Sequence, residues 1–373
     1  MTDVLQLMDE WGPEKVVAVS DRRTGMKGVL VIDNTARGMG KGGTRMSPTV
    51  TTAEIARLAR VMTWKWAGVD LFFGGAKAGI VFDPSSPDKE AALRAFARKL
   101  SNEVPREYVL GLDMGLTERD AAIVQDELGD RGAMMGAPAA LGGLPYDELG
   151  VTGFGVAEVA DELMSLEGKR IAIQGFGAVG AAAAKRFVEL GAAVVAVSSV
   201  HGALHDPDGL DITRLLKLRA SYGDLAVKEY GPVQALGTEL LVPCDVLVPA
   251  ALQDVIDDEI AGHLKASLIV EGANLPTSVA AQDVLASRGI TVVPDFIANA
   301  GGVVAAAYGM DARYSPFPVN PATVLDAVSA KLRANAAHVI VESRNRSVTT
   351  HVAARSLAQE RVLEAMKLRG RVA

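Results

Sequence analysis

The sequence holds a single cysteine, Cys244, in 373 residues. That excludes an intramolecular disulfide and a thiolate-held zinc, and it fits a reducing compartment. Its five histidines fall at no metal-ligand spacing, so no metal is expected. No stretch reaches the roughly 18 uninterrupted apolar residues of a membrane span. Basic residues do not dominate: 38 Lys and Arg stand against 45 Asp and Glu, for a net charge of −7. A nucleic-acid partner would normally meet a basic face, and none is expected here. The opening MTDVLQLMDEWGPEK lacks the basic start and apolar core of a secretory leader, so a cytoplasmic location is the expectation. What remains is a globular composition, 49% hydrophobic and 22% charged, in a chain whose length suits two domains.

Glycine is plentiful, and it gathers around lysine. Lys41 lies in GMGKGGTRM, Lys65 in MTWKWA and Lys77 in GGAKAGI. An ammonium group is costly to bury without a task, and glycine lets backbone come close to a small ligand. Any one of these lysines alone reads as a surface residue in a turn. The three together describe a pocket for a small anionic substrate, with one lysine pushed towards neutral pH by burial and like charge.

Along the chain, KVVAVS (15–20) and the run from Met26 to Asp33 read as strands joined by a DRRTG hairpin turn. Thr51 followed by Glu54 forms a capping-box pattern opening a helix that carries Lys65 near its end. Lys77 is then expected in the glycine loop after that helix. Residues 88–103 predict an amphipathic helix with Leu93, Phe96, Ala97 and Leu100 on one face. EYVLGLDMG predicts a strand running into a loop with Asp113. Glycines and prolines at 129–150 mark a domain crossing. Beyond it, KRIAIQ, AAVVAVS, DVLVPA, SLIVEGA and ITVVPD alternate with helical segments, the pattern of a parallel sheet with helices on both faces. The tail from 321 to 368 reads as charged helix.

Gly175, Gly177 and Gly180 form G-x-G-x-x-G between a strand and a helix, a context that makes this a dinucleotide fingerprint. The cradle comprises Gly175, Phe176, Gly177, Ala178, Val179 and Gly180, with pyrophosphate at the helix N-terminus. The second strand ends at Ser198 and Ser199, where an NAD site usually has an acid. Its absence removes a repulsion against a 2′-phosphate, and Ser199 or His201 could donate to one. No arginine or lysine stands at that place, so NAD and NADP both stay open.

The ordered series KGGTRM, MTWK, DL-x-x-GGAKAGI-x-x-DP, LGLDMG, TGFGV, GFGAVG, EGANLPTS and DFIANAGGV resembles the glutamate/leucine/phenylalanine/valine dehydrogenase family, from about residue 28 to 310. The 41–83 block is most similar to the glutamate dehydrogenases. The resemblance implies an α/β chain of two domains. Residues 1–148 would form an α/β catalytic and oligomerisation domain, with helices from 326–373 packing back on it. Residues 149–325 would form a doubly wound Rossmann-type domain.

Residue by residue, the resemblance implies Lys77 as the catalytic lysine and Asp113 as the acid that exchanges protons with the amino group. Lys65 would hold the substrate α-carboxylate and Lys41 the side-chain carboxylate of glutamate, with Gly42 and Met62 beside them. Thr152, Asn274 and Asn299 match positions around nicotinamide and substrate, Ala250 and Ala251 match cofactor positions, and Val303 and Ala306 line the side-chain pocket. Ala306 stands where glutamate dehydrogenases commonly carry serine. The arginine many members carry shortly before TGFGV is absent, and the chain length is closer to the branched-chain and aromatic enzymes.

The expected function is therefore NAD(P)-dependent oxidative deamination of an L-amino acid, glutamate first, giving a 2-oxo acid and ammonia in a homo-oligomer. An apolar L-amino acid is the alternative substrate. A catalytically silent dinucleotide-binding regulator would not need Lys77 and Asp113 together, and a hydroxy-acid enzyme would more often use histidine, which the candidate loops lack.

Overall fold

The computed structural model describes residues 4–144 and 149–372. Lys15–Ser20 (β1) and Lys27–Asn34 (β2) form the expected hairpin, paired from Lys15 with Ile32 to Ser20 with Lys27. In its turn the Asp21 carboxylate accepts from the Thr24 amide and hydroxyl. Four more strands complete the first sheet: Gly40–Lys41 (β3), Thr44–Met46 (β4), Gly74–Val81 (β5) and Tyr108–Val109 (β6). The order is β1-β2-β5-β3-β6, with β4 also pairing with β5. β2 and β5 are antiparallel, whereas β3, β4 and β6 join in parallel.

β2 is buried from Gly28 onward because helices cover both faces of the sheet. Leu30 and Ile32 pack with Leu93 and Phe96 of helix α2 (Lys89–Lys99) and with Ala121 and Val124 of helix α3 (Glu118–Leu128). Val29 and Val31 pack instead with Ile55 and Ala59 of helix α1 (Thr52–Gly68). α1 starts as its sequence predicts, with the Thr51 side chain accepting from the Glu54 amide at 3.2 Å. The return arm of the capping box is not made, because the Glu54 carboxylate binds Arg45 instead.

Lys77, expected in a glycine loop, lies inside β5. Side chains alternate across a strand, so Gly75, Lys77 and Gly79 share the face towards α1. A Cβ on Gly75 would fall 2.0 Å from Thr63 Oγ1, and one on Gly79 would fall 2.7 Å from Ile55. These glycines admit a helix, where the sequence suggested a ligand.

The second sheet contains Arg170–Gln174 (β7), Ala193–Ser199 (β8), Gly202–His205 (β9), Val246–Pro249 (β10), Leu268–Val270 (β11) and Thr291–Val293 (β12). Its order is β12-β11-β10-β7-β8-β9, parallel except for the β8–β9 pair. The chain runs outward from β7 through the helix Ala178–Glu189 to β8, then returns to place β10 on the other side of β7. That reversal makes the C-terminal ends of β7 and β10 a topological switch point, where open α/β sheets bind ligands.

The described chain forms two compact units, one of residues 1–146, 305–324 and 357–373, the other of 147–304 and 325–356. The division differs from the sequence expectation in the last quarter of the chain. Residues 305–324, expected in the second domain, go with the first unit; of 326–373, expected to pack back on the first domain, 326–356 go with the second unit and the rest with the first. Glu158, buried in the helix Val151–Leu163, supplies a reason. Its carboxylate accepts from Arg186 at 2.7 Å and from Arg333 at 2.8 Å, and Ser329 also donates to it. Arg333 and Ser329 both belong to the helix Pro321–Arg346. Burial acts to raise the Glu158 pKa, and the serine and the two arginines outweigh it, holding the carboxylate below its ordinary value. Glu158→Ala should lower unfolding stability by about 2–4 kcal/mol, the cost of stranding two partly solvated arginines. Denaturant melts at neutral pH showing a loss under about 0.5 kcal/mol would remove this carboxylate as the tie.

Candidate active site

The segment Lys41–Met46 runs between β5 and the stretch 108–114. The Thr44 amide donates to Gly111 O at 2.8 Å, Met46 to Met114 O at 2.8 Å, and Ala78 to Gly43 O at 3.1 Å. Tyr108, fully buried, donates its hydroxyl to Gly42 O at 2.9 Å, and Trp66 Nε1 donates to Lys41 O at 3.0 Å. These bonds fix the backbone from which the candidate lysines project.

Lys41 is only 3% exposed. Its ammonium donates to Leu110 O at 3.0 Å and Val109 O at 3.3 Å, and among the described residues no carboxylate pairs with it. Burial, then the charge of Lys77, pushes its pKa down to about 7. Lys41 is thus a lysine pushed towards neutral pH by burial and like charge, as the sequence expects of one of the three. Lys77 Nζ instead meets Asp113 Oδ2 at 2.6 Å. Burial acts to raise the Asp113 pKa, but the Lys77 charge and bond, the Met114 amide and Arg45 outweigh it and keep the carboxyl below its ordinary value.

Space for these groups comes from absent side chains. A Cβ on Gly111 would lie 2.8 Å from Lys41 Nζ, and one on Gly43 would lie 3.0 Å from Lys77 Nζ and 2.9 Å from Asp113 Cβ. Any larger residue at either position would displace an ammonium.

Gly42 approaches Met62, whose Cγ is 3.4 Å from where a Gly42 Cβ would sit. Met62, Lys65 and Trp66 lie at helical spacing on α1 and share a face. Lys65, half-buried, is in its last turn. Val303 and Ala306 fall one turn apart on the helix Gly301–Ala312. Arg45 carries no role in the sequence reading, yet its Nε lies 3.5 Å from Asp113 Oδ2. Nothing local in the sequence says that β4 runs alongside residue 113.

The dinucleotide cradle is built at the switch point. Gly175 has φ +95°, which a side chain would strain, and its amide donates to the buried Ser198 hydroxyl at 3.0 Å. A Cβ on Gly180 would strike Gly175 O at 1.8 Å, so helix and turn touch there, whereas nothing lies within 4 Å of the Cβ position of Gly177. Phe176 is buried, and Ala178 and Val179 open the helix Ala178–Glu189. Ala250 and Ala251 follow β10 and meet the turn, with the Ala251 Cβ 2.6 Å from the Cβ position of Gly175. Asn299 donates to Asn274 Oδ1 at 3.0 Å, and Thr152 Oγ1 is 3.4 Å from the Cβ position of Gly302.

Ser199 ends β8 as its sequence predicts, but its hydroxyl is engaged, donating to Asp224 O at 2.8 Å. A basic residue does reach the glycine turn from far along the sequence: Arg219 Nε donates to Phe176 O at 3.0 Å. Among the described residues no cluster of His, Cys, Asp and Glu could hold a metal, and no helix is long and apolar enough to cross a membrane.

Residues 142–370 match the Glutamate/Leucine/Phenylalanine/Valine dehydrogenase family model, and residues 13–129 match the Glu/Leu/Phe/Val dehydrogenase dimerisation domain. The NADP-specific glutamate dehydrogenase of Saccharolobus shibatae is 34% identical over 400 residues, covering 99% of this chain and 92% of that protein. The NAD-specific glutamate dehydrogenase A of Halobacterium salinarum is 35% identical, covering 90% of this chain and 80% of that protein. A crystal structure of the hetero-hexameric glutamate dehydrogenase from Thermus thermophilus, in a leucine-bound form, superposes with a TM-score of 0.83 at 30% identity, over 98% of this chain and 92% of that one. Two family models spanning most of the residues, and relatives about one-third identical over nine-tenths or more of the chain, place the protein in the glutamate/leucine/phenylalanine/valine dehydrogenase family.

Proposed function

We propose that the protein is an NAD(P)-dependent L-glutamate dehydrogenase, converting glutamate reversibly to 2-oxoglutarate and ammonia. The observation that carries the reading is the pairing of Lys77 with Asp113 beside the deeply buried Lys41. The cradle fits a dinucleotide: an open position at Gly177, close packing at Gly180 and a switch point between β7 and β10. Relatives named for NAD and for NADP support either cofactor. A nicotinamide held there would supply the hydride acceptor that oxidation at the substrate Cα requires.

The chain's own residues would do the rest. Lys65 binds the α-carboxylate, and Lys41 binds the side-chain carboxylate. Asp113 takes a proton from the amino group, which must be a neutral amine before hydride can leave Cα. Lys77, in its amine form, takes a proton from the water that attacks the iminium carbon, and as an ammonium it stabilises the resulting oxygen. Asp113 then returns its proton to nitrogen, and the departing ammonia carries off the hydroxyl proton as the carbonyl forms. The 2.6 Å Lys77–Asp113 ion pair keeps the two groups that exchange protons with the substrate side by side. Asn274, Asn299 and Thr152 would orient nicotinamide and substrate. The dimerisation-domain match over residues 13–129 supports self-association.

A second reading, an apolar L-amino acid as substrate, draws on Ala306 and on the downward push that burial and Lys77 give the Lys41 pKa, which brings the neutral side chain within easier reach.

Lys77→Ala should cut deamination by about two to four orders of magnitude while leaving dinucleotide affinity nearly intact. Turnover within tenfold of wild type would remove Lys77 from the chemistry. Lys41→Leu separates the substrates. With glutamate it leaves a buried carboxylate unpartnered, at a cost of about 3–5 kcal/mol, or roughly a hundred- to several-thousand-fold in kcat/KM. Leucine, norvaline and methionine should lose far less. Near-wild-type activity of the variant on glutamate would defeat the glutamate reading.

A further inference from the structure

Asp113 is held by two cations, and the proposed chemistry uses only one of them. Arg45, on β4, points its Nε at the same Asp113 oxygen that Lys77 binds, at 3.5 Å against 2.6 Å. That N–H is shut off from solvent and makes no hydrogen bond among the described residues. Buried donors are rarely left so, and an unsatisfied one at a reaction centre marks a geometry completed at another stage. A displacement of Asp113 by about 0.5 Å would bring the pair to bonding distance.

The far end of the guanidinium is tethered. Arg45 Nη1 binds Glu54 Oε1 at 2.7 Å, and Glu54 is itself fixed by the Thr51 cap at the start of α1. The arginine is thus held just short of full contact with Asp113.

Resting on the dehydrogenase reading above, we propose that Arg45 is a positioning residue that keeps Asp113 ionised and in place whenever Lys77 is a neutral amine. A lysine that takes and gives protons is a counter-charge that disappears during the cycle. A guanidinium does not deprotonate in proteins, so its charge is constant. The charged and titratable groups around Asp113 come from five elements: Lys77 from β5, Arg45 from β4, Tyr108 from β6, Lys41 from β3 acting through Lys77, and Glu54 from α1 acting through Arg45. Arg45 is the one permanent cation among them.

The test is the pH profile of kcat/KM for L-glutamate in wild type, Arg45→Gln, Arg45→Lys and Glu54→Gln, with melting temperatures measured alongside. Because hydride leaves before water attacks, the profile is also read on the pre-steady-state burst of reduced cofactor, whose acid limb reports the carboxyl that must be ionised to accept the amine proton and not the lysine that must be neutral later. In Arg45→Gln this limb should move up by about 0.5–1 pH unit, so activity falls most at low pH and recovers at high pH. Arg45→Lys should restore most of the shift, and Glu54→Gln, which releases the guanidinium towards Asp113, should move the limb down. A uniform loss at every pH, or no shift in a folded Arg45→Gln protein, overturns the proposal. Lys77→Ala assayed in parallel separates the levels: if it stays active, the site assignment fails; if it is inactive while the Arg45→Gln limb is unmoved, only the role of Arg45 fails.

Discussion

One side chain sets the terms for the rest of the site: a lysine buried with no carboxylate beside it among the described residues. Lys41 has two carbonyl oxygens for partners and Lys77 for a neighbour, and it responds by losing its proton near pH 7. Burying an unpaired ammonium is among the costliest arrangements a fold can hold. The sheet tolerates it because Val109, at the end of β6, and Leu110, just beyond it, present carbonyls to the ammonium, and because Gly111 leaves room for it. A ligand with a carboxylate at the right reach would supply what the protein omits. Binding energy is thereby stored in the unliganded site.

Around that lysine the remaining charges form a graded series. Asp113 neutralises Lys77 at contact distance, Arg45 stands one step back, and Glu54 restrains Arg45 from behind. The same motif, KGGTRM, supplies Lys41, the glycine that clears Lys77 and Asp113, and Arg45, in five consecutive residues on adjoining short strands. Tyr108 and Trp66 hold its backbone by hydrogen bonds to three successive carbonyls, Lys41, Gly42 and Gly43. Sequence compactness and geometric precision have one cause here, because a two-residue strand has no slack in which to shift register.

Where local pattern decides, the sequence was legible. The hairpin of β1 and β2, the Thr51 cap, the switch-point glycines and the end of β8 at Ser199 all follow from short-range spacing and fixed turn chemistry. Lys77 was misplaced into a loop because glycine reads as a turn, and only the packing of α1 on β5 reveals that Gly75 and Gly79 serve a helix. Arg45 and Arg219 were invisible as site residues because each acts on a segment distant in sequence, Asp113 in one case and Phe176 in the other. Residues 325–356 are likewise tied to the second unit by a long-range contact, Glu158 to Arg333. Helix α3 went unread although Thr117 and Asp120 form a full capping box and Gly129 closes it in a left-handed conformation.

The stored demand of Lys41 for a counter-charge can be measured directly as proton uptake. Calorimetric titration of the cofactor-saturated protein at about pH 8, in buffers of different ionisation enthalpy, counts protons taken up with ligand. Glutarate, which carries a second carboxylate, should draw most of one proton per site as Lys41 recharges, whereas pentanoate should draw almost none. Glutarate binding with no more uptake than pentanoate would contradict the account, because the side-chain carboxylate would then not be meeting Lys41.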